Sequence, residues 1–332
     1  MMPHRDEPSI LKVGLAQVAP VVLDRQATLC KVVGHTRAAA EQGCAMVCFG
    51  EALVPGYPVW ISRTDGSRFD TDDQKQLHAL YAEQAVQPEA GHLDGVCAAA
   101  RDGHIAVILG TIERAADRGG HSLYCSRVFI DADGTIGSVH RKLVPTHEER
   151  LTWAPGDGAG LVVHRLGPFT VGALNCWENW MPLARTALYA AGEDLHVALW
   201  PGARRNTEDI TRFIAREARS YVISVSCLIR EQDFPADVPY RDRIVPTPGE
   251  VICDGGTAVA GPDGAWILEP VTGREELLTV ELDHRRVLEE RQNFDAAGHY
   301  ARPDVMRLVV DRTRQRAVEF VETDETAVTP QT

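Results

Sequence analysis

Short apolar runs rich in Val and Ile alternate along the chain with longer stretches whose apolar residues recur every three or four positions. The run "LKVGLAQV" (11–18) predicts a strand, and "RQATLCKVVGHTRAAAEQG" (25–43) a helix ended by Gly43. "CAMVCFGE" (44–51) predicts a buried strand with a glutamate at its exit. After a loop rich in Pro and Gly, 71–86 and 92–103 read as helices and "HIAVILGTIE" (104–113) as a strand. Residues 121–142 then hold two alternating runs joined through Asp133-Gly134, a hairpin signal. The second half returns to the first theme, with strands at 169–176, 195–202 and 221–229 and helices at 182–192 and 207–220. A second hairpin is expected over 256–270, turning on Pro262-Asp263-Gly264.

Strands alternating with helices, interrupted by two hairpins, predict an α/β protein with a mixed sheet. No shift of composition and no Gly/Ser linker divides the halves, so one domain is expected rather than two. From residue 283 the chain becomes charged and loses its strand rhythm, and its last dozen residues, "VETDETAVTPQT", read as mobile.

Composition narrows the class. With 44% apolar and 24% charged residues among 332, the chain has the make-up of a soluble globular protein able to bury a large core. A net charge of -13 argues against nucleic-acid partners, which need a basic face to neutralise phosphates. No apolar run reaches the roughly 18 residues of a membrane span. "MMPHRDEPSI" also lacks the apolar core of a signal peptide, so a cytoplasmic location is expected. Eight cysteines occur without a Cys-x-x-Cys pair, and those inside apolar runs, such as Cys44, Cys48 and Cys227, read as small hydrophobes.

Ligands of α/β sheets gather outside the carboxyl ends of strands, so polar residues closing apolar strands are the ones to weigh. Three stand out: Glu51 after "MVCFG", Lys142 after "IGSVHR" and Cys176 after "VGALN". Glu51 and Lys142 alone would equally suit a buried ion pair or a solvated edge. Cys176 differs from the other thiols because a helix is expected just behind it, with Pro182 suited to its first turn. Thiols near a helix N-terminus and a lysine ionise more easily, which makes Cys176 a candidate nucleophile. A histidine base is the alternative; His140 and His147 flank Lys142, but nothing in the sequence ties either to Cys176. "THEERL" has Leu151 where a zinc-binding His-Glu-x-x-His motif would place its second histidine, so no metal site is expected.

Three blocks, "FGEALVPGYP" (49–58), "HRKLVPTHEERLTWAPGDG" (140–158) and "NCWENWMPLAR" (175–185), together resemble the signatures of the nitrilase superfamily, carbon–nitrogen hydrolases with a Glu-Lys-Cys triad. The resemblance runs from about residue 11 to about 303, where "GHYARPD" (298–304) is similar to a stretch near the end of nitrilase-branch proteins. Cysteine followed by Trp177-Glu178 resembles the nitrilase and cyanide-degrading branch. Gly50 departs from the pattern, which commonly has proline before the catalytic glutamate, and this could loosen the strand exit.

The resemblance implies a four-layer α-β-β-α sandwich in one domain over residues 11–285, preceded by a flexible N-terminus (1–10). It implies an extension (286–318) in a dimer contact, a mobile tail (319–332), and homodimers that build larger oligomers or spirals. Glu51 is then the general base, Lys142 the stabiliser of the tetrahedral intermediate, Cys176 the nucleophile, and Glu149 a second carboxylate that positions Lys142 or substrate. Tyr57, Trp60, Trp177, Trp200 and Pro201 are expected to shape a mostly apolar pocket. The implied reaction takes a nitrile to its carboxylic acid and ammonia through a thioimidate and a thioester, with no cofactor and no metal. An amidase or cyanide-hydrolysing enzyme on the same triad and a catalytically silent assembly protein are the alternatives.

Overall fold

The structure, a computed structural model, describes residues 9–316, 318 and 319. The first part of the chain supplies β1 (Ile10–Gln17), β2 (Met46–Phe49), β3 (Ala106–Arg114), β4 (Leu123–Ile130) and β5 (Ile136–Arg141). The second supplies β6 (His164–Leu166), β7 (Phe169–Asn175), β8 (Leu195–Trp200), β9 (Tyr221–Ser226), β10 (Leu228–Arg230), β11 (Val251–Ala260), β12 (Trp266–Thr272) and β13 (Glu276–Asp283). The helices are α1 (Arg25–Glu41), α2 (Trp60–Arg63), α3 (Asp72–Gln84), α4 (Asp94–Gly103), α5 (Pro182–Ala190), α6 (Ile210–Ala218), α7 (Arg241–Ile244) and α8 (His284–Glu290).

The strands form a six-stranded sheet, β13-β1-β2-β3-β4-β5, and a seven-stranded one, β10-β11-β9-β8-β7-β6, with β12 paired to β11. Both expected hairpins form, β4 with β5 and β11 with β12. β13 was not visible in the sequence pattern. It returns from the second half to pair along the whole of β1, from Ile10↔Asp283 to Gln17↔Glu276. Its run "ELLTVELD" is only partly buried, so an edge strand of this kind carries a weak alternation.

Period-two alternation sorts each central strand onto two faces. Val13, Leu15, Met46, Cys48 and Ile108 of the first sheet meet Val171, Val197, Leu199, Ile223 and Val225 of the second in one core between the sheets. The opposite face of the first sheet, with Val47, Phe49, Val107 and Leu109, packs on Leu29 and Val32 of α1 and Val96 of α4. The opposite face of the second packs Ala198, Trp200 and Val222 on Ile210 and Ile214 of α6, and Leu174 on Ala184, Ala187 and Leu188 of α5. The layers are therefore α-β-β-α. β1, β2 and β3 run parallel, as do β7, β8 and β9. Two antiparallel steps bring β5 back to the direction of β3.

Beyond α8 the extension crosses its own chain. Val310 packs beside the α5 cluster. Arg314 donates to Asp157 Oδ1 and to the carbonyl of Val139, each at 2.9 Å. The expected flexible start and tail fall mainly on residues 1–8 and 320–332, outside the described residues; Ile10 already opens β1. Among the described residues no helix is long and apolar enough to cross a membrane.

Candidate active site

Glu51 leaves β2 at the seam between the sheets, and its backbone N–H donates to the carbonyl of Trp200 at the end of β8, at 3.1 Å. The turn carrying it presses onto β3, where a Cβ on Gly110 would lie 2.1 Å from the Gly50 carbonyl; only glycine allows that approach. Lys142, one residue past β5, reaches Glu51 Oε1 at 2.8 Å and Glu149 Oε2 at 2.7 Å. All three side chains are buried. Glu149 sits in the turn His147–Leu151, and Thr146 N–H donates to its Oε2 at 2.6 Å and Tyr57 OH to its Oε1 at 2.9 Å. The Trp153 ring lies 5.5 Å from the Lys142 ammonium and edge-on to Tyr57.

Two carboxylates share one ammonium, and the charge balance shows in their proton affinities. Burial pushes the Glu51 carboxyl up to about 7, against the pull of Lys142 and with the push of Glu149. Burial alone would lower Lys142, but Glu51, Cys176 and Glu149 hold it well above the usual lysine value, so it stays charged. Glu51 Oε1 is engaged by Lys142 and by the Cys125 thiol at 3.4 Å. Its Oε2 is buried and has no hydrogen-bond partner among the described residues.

Cys176 closes β7 with φ of 46°, the left-handed region that non-glycine residues seldom enter. Donor atoms of Glu51, Glu149 and Cys176 all lie within 4.8 Å of one another. The three could face a metal, but the Lys142 ammonium already lies between the two carboxylates and would repel a cation. Burial, followed by Glu51, pushes the Cys176 thiol well up, although Lys142 and the Trp177 N–H pull the other way. This corrects the expectation of an easily ionised thiol. The residues behind the cysteine, Cys176–Trp180, form a single 3-10 turn, and α5 begins only at Pro182.

The strained Cys176 is held by two buried networks that the sequence did not reveal. Asn179 Nδ2 donates to the Cys176 carbonyl at 2.7 Å, His196 Nε2 contacts Asn179 Oδ1 at 2.7 Å, and His196 Nδ1 contacts Glu193 at 2.8 Å. Glu178 accepts from Leu143 N–H at 2.7 Å and Asn175 N–H at 2.9 Å, so one carboxylate joins the exits of β5 and β7. Burial opposes its charge, but the His140 ring and these N–H groups hold Glu178 below the usual carboxylate range. His140 is thereby committed to Glu178, and His147 is exposed beside Glu148 at 2.6 Å. Neither histidine is placed as a base for Cys176.

A cleft of about 370 Å³ opens above Cys176, lined by Tyr57, Glu149, Trp177 and Pro201 among others. Trp60 and Trp200 are not among its lining residues. Trp60 packs edge-on against Tyr81, and Trp200 lies under the site with its indole N–H on Ser224 Oγ at 3.1 Å. Arg63, Arg205 and Cys253, which the sequence did not single out, do line the cleft.

Compared with known proteins, the chain matches the family Carbon-nitrogen hydrolase over residues 12–292. The chain belongs to this family. It is 35% identical to an aliphatic nitrilase of Sinorhizobium fredii (strain HH103), covering 92% of this chain and 97% of that one. It is 33% identical to an aliphatic nitrilase of Rhodococcus rhodochrous, covering 95% and 82%. A bifunctional nitrilase/nitrile hydratase of Nicotiana tabacum is 32% identical over 94% of this chain and 89% of its own. In fold it is similar to a mutant of the Nesterenkonia AN1 amidase from the nitrilase superfamily, with a TM-score of 0.64, 19% identity, and coverage of 88% and 97%.

Gly50 was expected to loosen the strand exit in this carbon–nitrogen hydrolase, but its surroundings are tight rather than loose. A Cβ there would lie 2.5 Å from Cys227 Sγ, 2.8 Å from the Trp200 carbonyl and 2.9 Å from Cys227 N. Proline would also remove the Gly50 N–H, which pulls the Cys227 thiol down against its burial. Gly50→Pro is therefore expected to reduce activity at least about tenfold by displacing Glu51, which steady-state kinetics and a denaturation midpoint will separate from simple unfolding. Asn179→Ala is expected to lower kcat about tenfold to a hundredfold while circular dichroism stays unchanged, because the carbonyl of the strained Cys176 loses its holder.

Proposed function

We propose that this carbon–nitrogen hydrolase converts an organic nitrile to the carboxylic acid and ammonia, with Cys176 as nucleophile. The observation that carries the reading is the unpartnered Glu51 Oε2, buried in a cluster where Glu51, Glu149 and Cys176 donor atoms lie within 4.8 Å of one another. A nitrile carbon is a weak electrophile, so a soft sulfur nucleophile suits it. Glu51 takes the thiol proton as sulfur attacks and delivers it to the nitrile nitrogen, leaving a thioimidate. Water, deprotonated by Glu51, adds to that carbon. The tetrahedral species expels ammonia to leave a thioester, and a second water releases the acid. Lys142 supplies fixed positive charge and the Trp177 N–H a hydrogen-bond donor where negative charge develops, worth about 3–4 kcal/mol for comparable donors. Glu149 keeps Lys142 in place, and Tyr57, Trp177 and Pro201 shape the substrate's path.

The same tetrahedral species can instead expel the thiolate and give an amide. The bifunctional nitrilase/nitrile hydratase relative lends that exit support as a minor product. Homodimers with residues 286–318 in the contact, assembly into larger oligomers and a cytoplasmic location belong to the same proposal, supported by the resemblance of the chain to its family.

A panel of aliphatic, aromatic and arylaceto-nitriles, matched amides and cyanide is the direct test, with ammonia and organic product both measured. Acid plus ammonia from nitriles is expected, at least about a thousandfold lower in Cys176→Ala. Turnover of amides alone removes the nitrile reading, and full activity of Cys176→Ala removes the mechanism. The pH profile tests the base. Protonated Glu51 cannot accept the thiol proton, and its carboxyl titrates near 7, so kcat/KM is expected to fall about tenfold per pH unit below that value. Glu149→Gln removes a charge that raises Glu51, so the acid limb is expected to move to lower pH.

A further inference from the structure

The charged side chains lining the cleft are all committed to partners except one. Glu149 holds Lys142 at 2.7 Å, Glu148 pairs with His147 at 2.6 Å, and Arg63 pairs with Glu250 at 2.8 Å. The neighbouring Arg204 pairs with Glu208 at 2.9 Å. Arg205 lines the same cleft as Cys176 and has no ion pair and no side-chain hydrogen bond among the described residues. In a chain of net charge -13, an uncompensated guanidinium in the cleft stands apart.

Its backbone is held in place. Arg204–Asn206 form a 3-10 turn entered from Ala203 with φ of 77°. The Asn206 side chain donates to the Gly202 carbonyl, and Thr207 Oγ1 donates to the Gly256 carbonyl on β11 at 2.7 Å. A loop fixed on a strand holds the Arg205 backbone in place, while its exposed side chain stays free to turn onto a ligand. Arginine suits a carboxylate in particular, because its planar fork matches the two oxygens.

The geometry points to an ω-cyano carboxylate as the substrate class, a short nitrile whose far end is anionic and binds Arg205 while its nitrile meets Cys176. The inference rests on the nitrile reading and adds the chemistry of the rest of the substrate. Two opposing effects set the orientation. Arg205 attracts the carboxylate, while the inner end, where Glu51 and Glu149 outnumber Lys142, repels it. Only the uncharged nitrile end enters without that repulsion. The cleft volume of about 370 Å³ suits a small linear molecule. Hydrolysis adds two waters across the carbon–nitrogen triple bond; the nitrogen leaves as ammonium and the monoanion becomes a dicarboxylate. The new carboxylate forms beside Glu51 and Glu149, which favours release of the product.

The test compares 4-cyanobutanoate with 5-methylhexanenitrile, in which an isopropyl group replaces the carboxylate without changing the chain length. The wild-type protein is expected to favour the cyano acid in kcat/KM by about tenfold or more, less at high salt. Arg205→Ala is expected to raise KM for the cyano acid about tenfold with kcat little changed, leaving the isostere within about twofold. Arg205→Glu is expected to lower cyano-acid turnover further and to improve 5-aminopentanenitrile. A wild-type preference for the isostere, or an equal loss on both compounds in Arg205→Ala, overturns this proposal while the nitrile reading stands. Wild-type silence on every nitrile, with amides turned over, overturns both.

Discussion

A single ammonium buried between two carboxylates governs this molecule. Lys142 sits 2.8 Å from Glu51 and 2.7 Å from Glu149, out of water, and removing charges from water is expensive unless each is matched. The matching is nearly complete: Tyr57, the Thr146 N–H and the Cys125 thiol satisfy the remaining carboxylate oxygens except Glu51 Oε2. The proposed role of Glu51 as base rests on that one exception. Burial, followed by the Glu51 charge, also pushes the Cys176 thiol well up, while burial pushes the Glu51 carboxyl up to about 7.

Such a cluster needs a seam to live in. Its two halves come from different sheets, and the Glu51 N–H bond to the Trp200 carbonyl fastens the exit of β2 to that of β8. Glu178 fastens β5 to β7 in the same manner. The Glu193–His196–Asn179 chain then pins the carbonyl of Cys176, whose backbone is strained. Strain of this kind survives only where the surroundings over-determine it, and the strands of the inter-sheet core provide that rigidity.

How much of this could be read from the sequence follows from what one-dimensional patterns record. Central strands were legible because they are buried on both faces and bounded by turn residues; β6 and β10 are three-residue strands, too short to show a period. β13 was hidden because edge strands mix polar and apolar positions on both faces. Glu51, Lys142 and Cys176 were legible as polar residues at strand exits, and Glu149 through the block that contains it. His196 and Cys125 were not, since each acts through a residue well separated in sequence, and neither were Asn179, whose bond to the Cys176 carbonyl leaves no trace in a one-dimensional pattern, and Arg205, which only the fold brings to the cleft. Trp60 and Trp200 looked like pocket residues by proximity to Glu51 and to a strand exit. Alternation turned Trp200 toward α6 instead.

The contact between Gly50 and Cys227 makes the second sheet the arbiter of what stands at position 50. A side chain at position 50 meets not just a sulfur but also the Trp200 carbonyl and the Cys227 nitrogen. Trimming Cys227 would clear only one of the three obstacles. A larger residue here is therefore not accommodated by that change alone. The backbone at the exits of β8 and β9 would have to shift as well, so what position 50 tolerates is dictated by the second sheet although the residue itself follows a strand of the first.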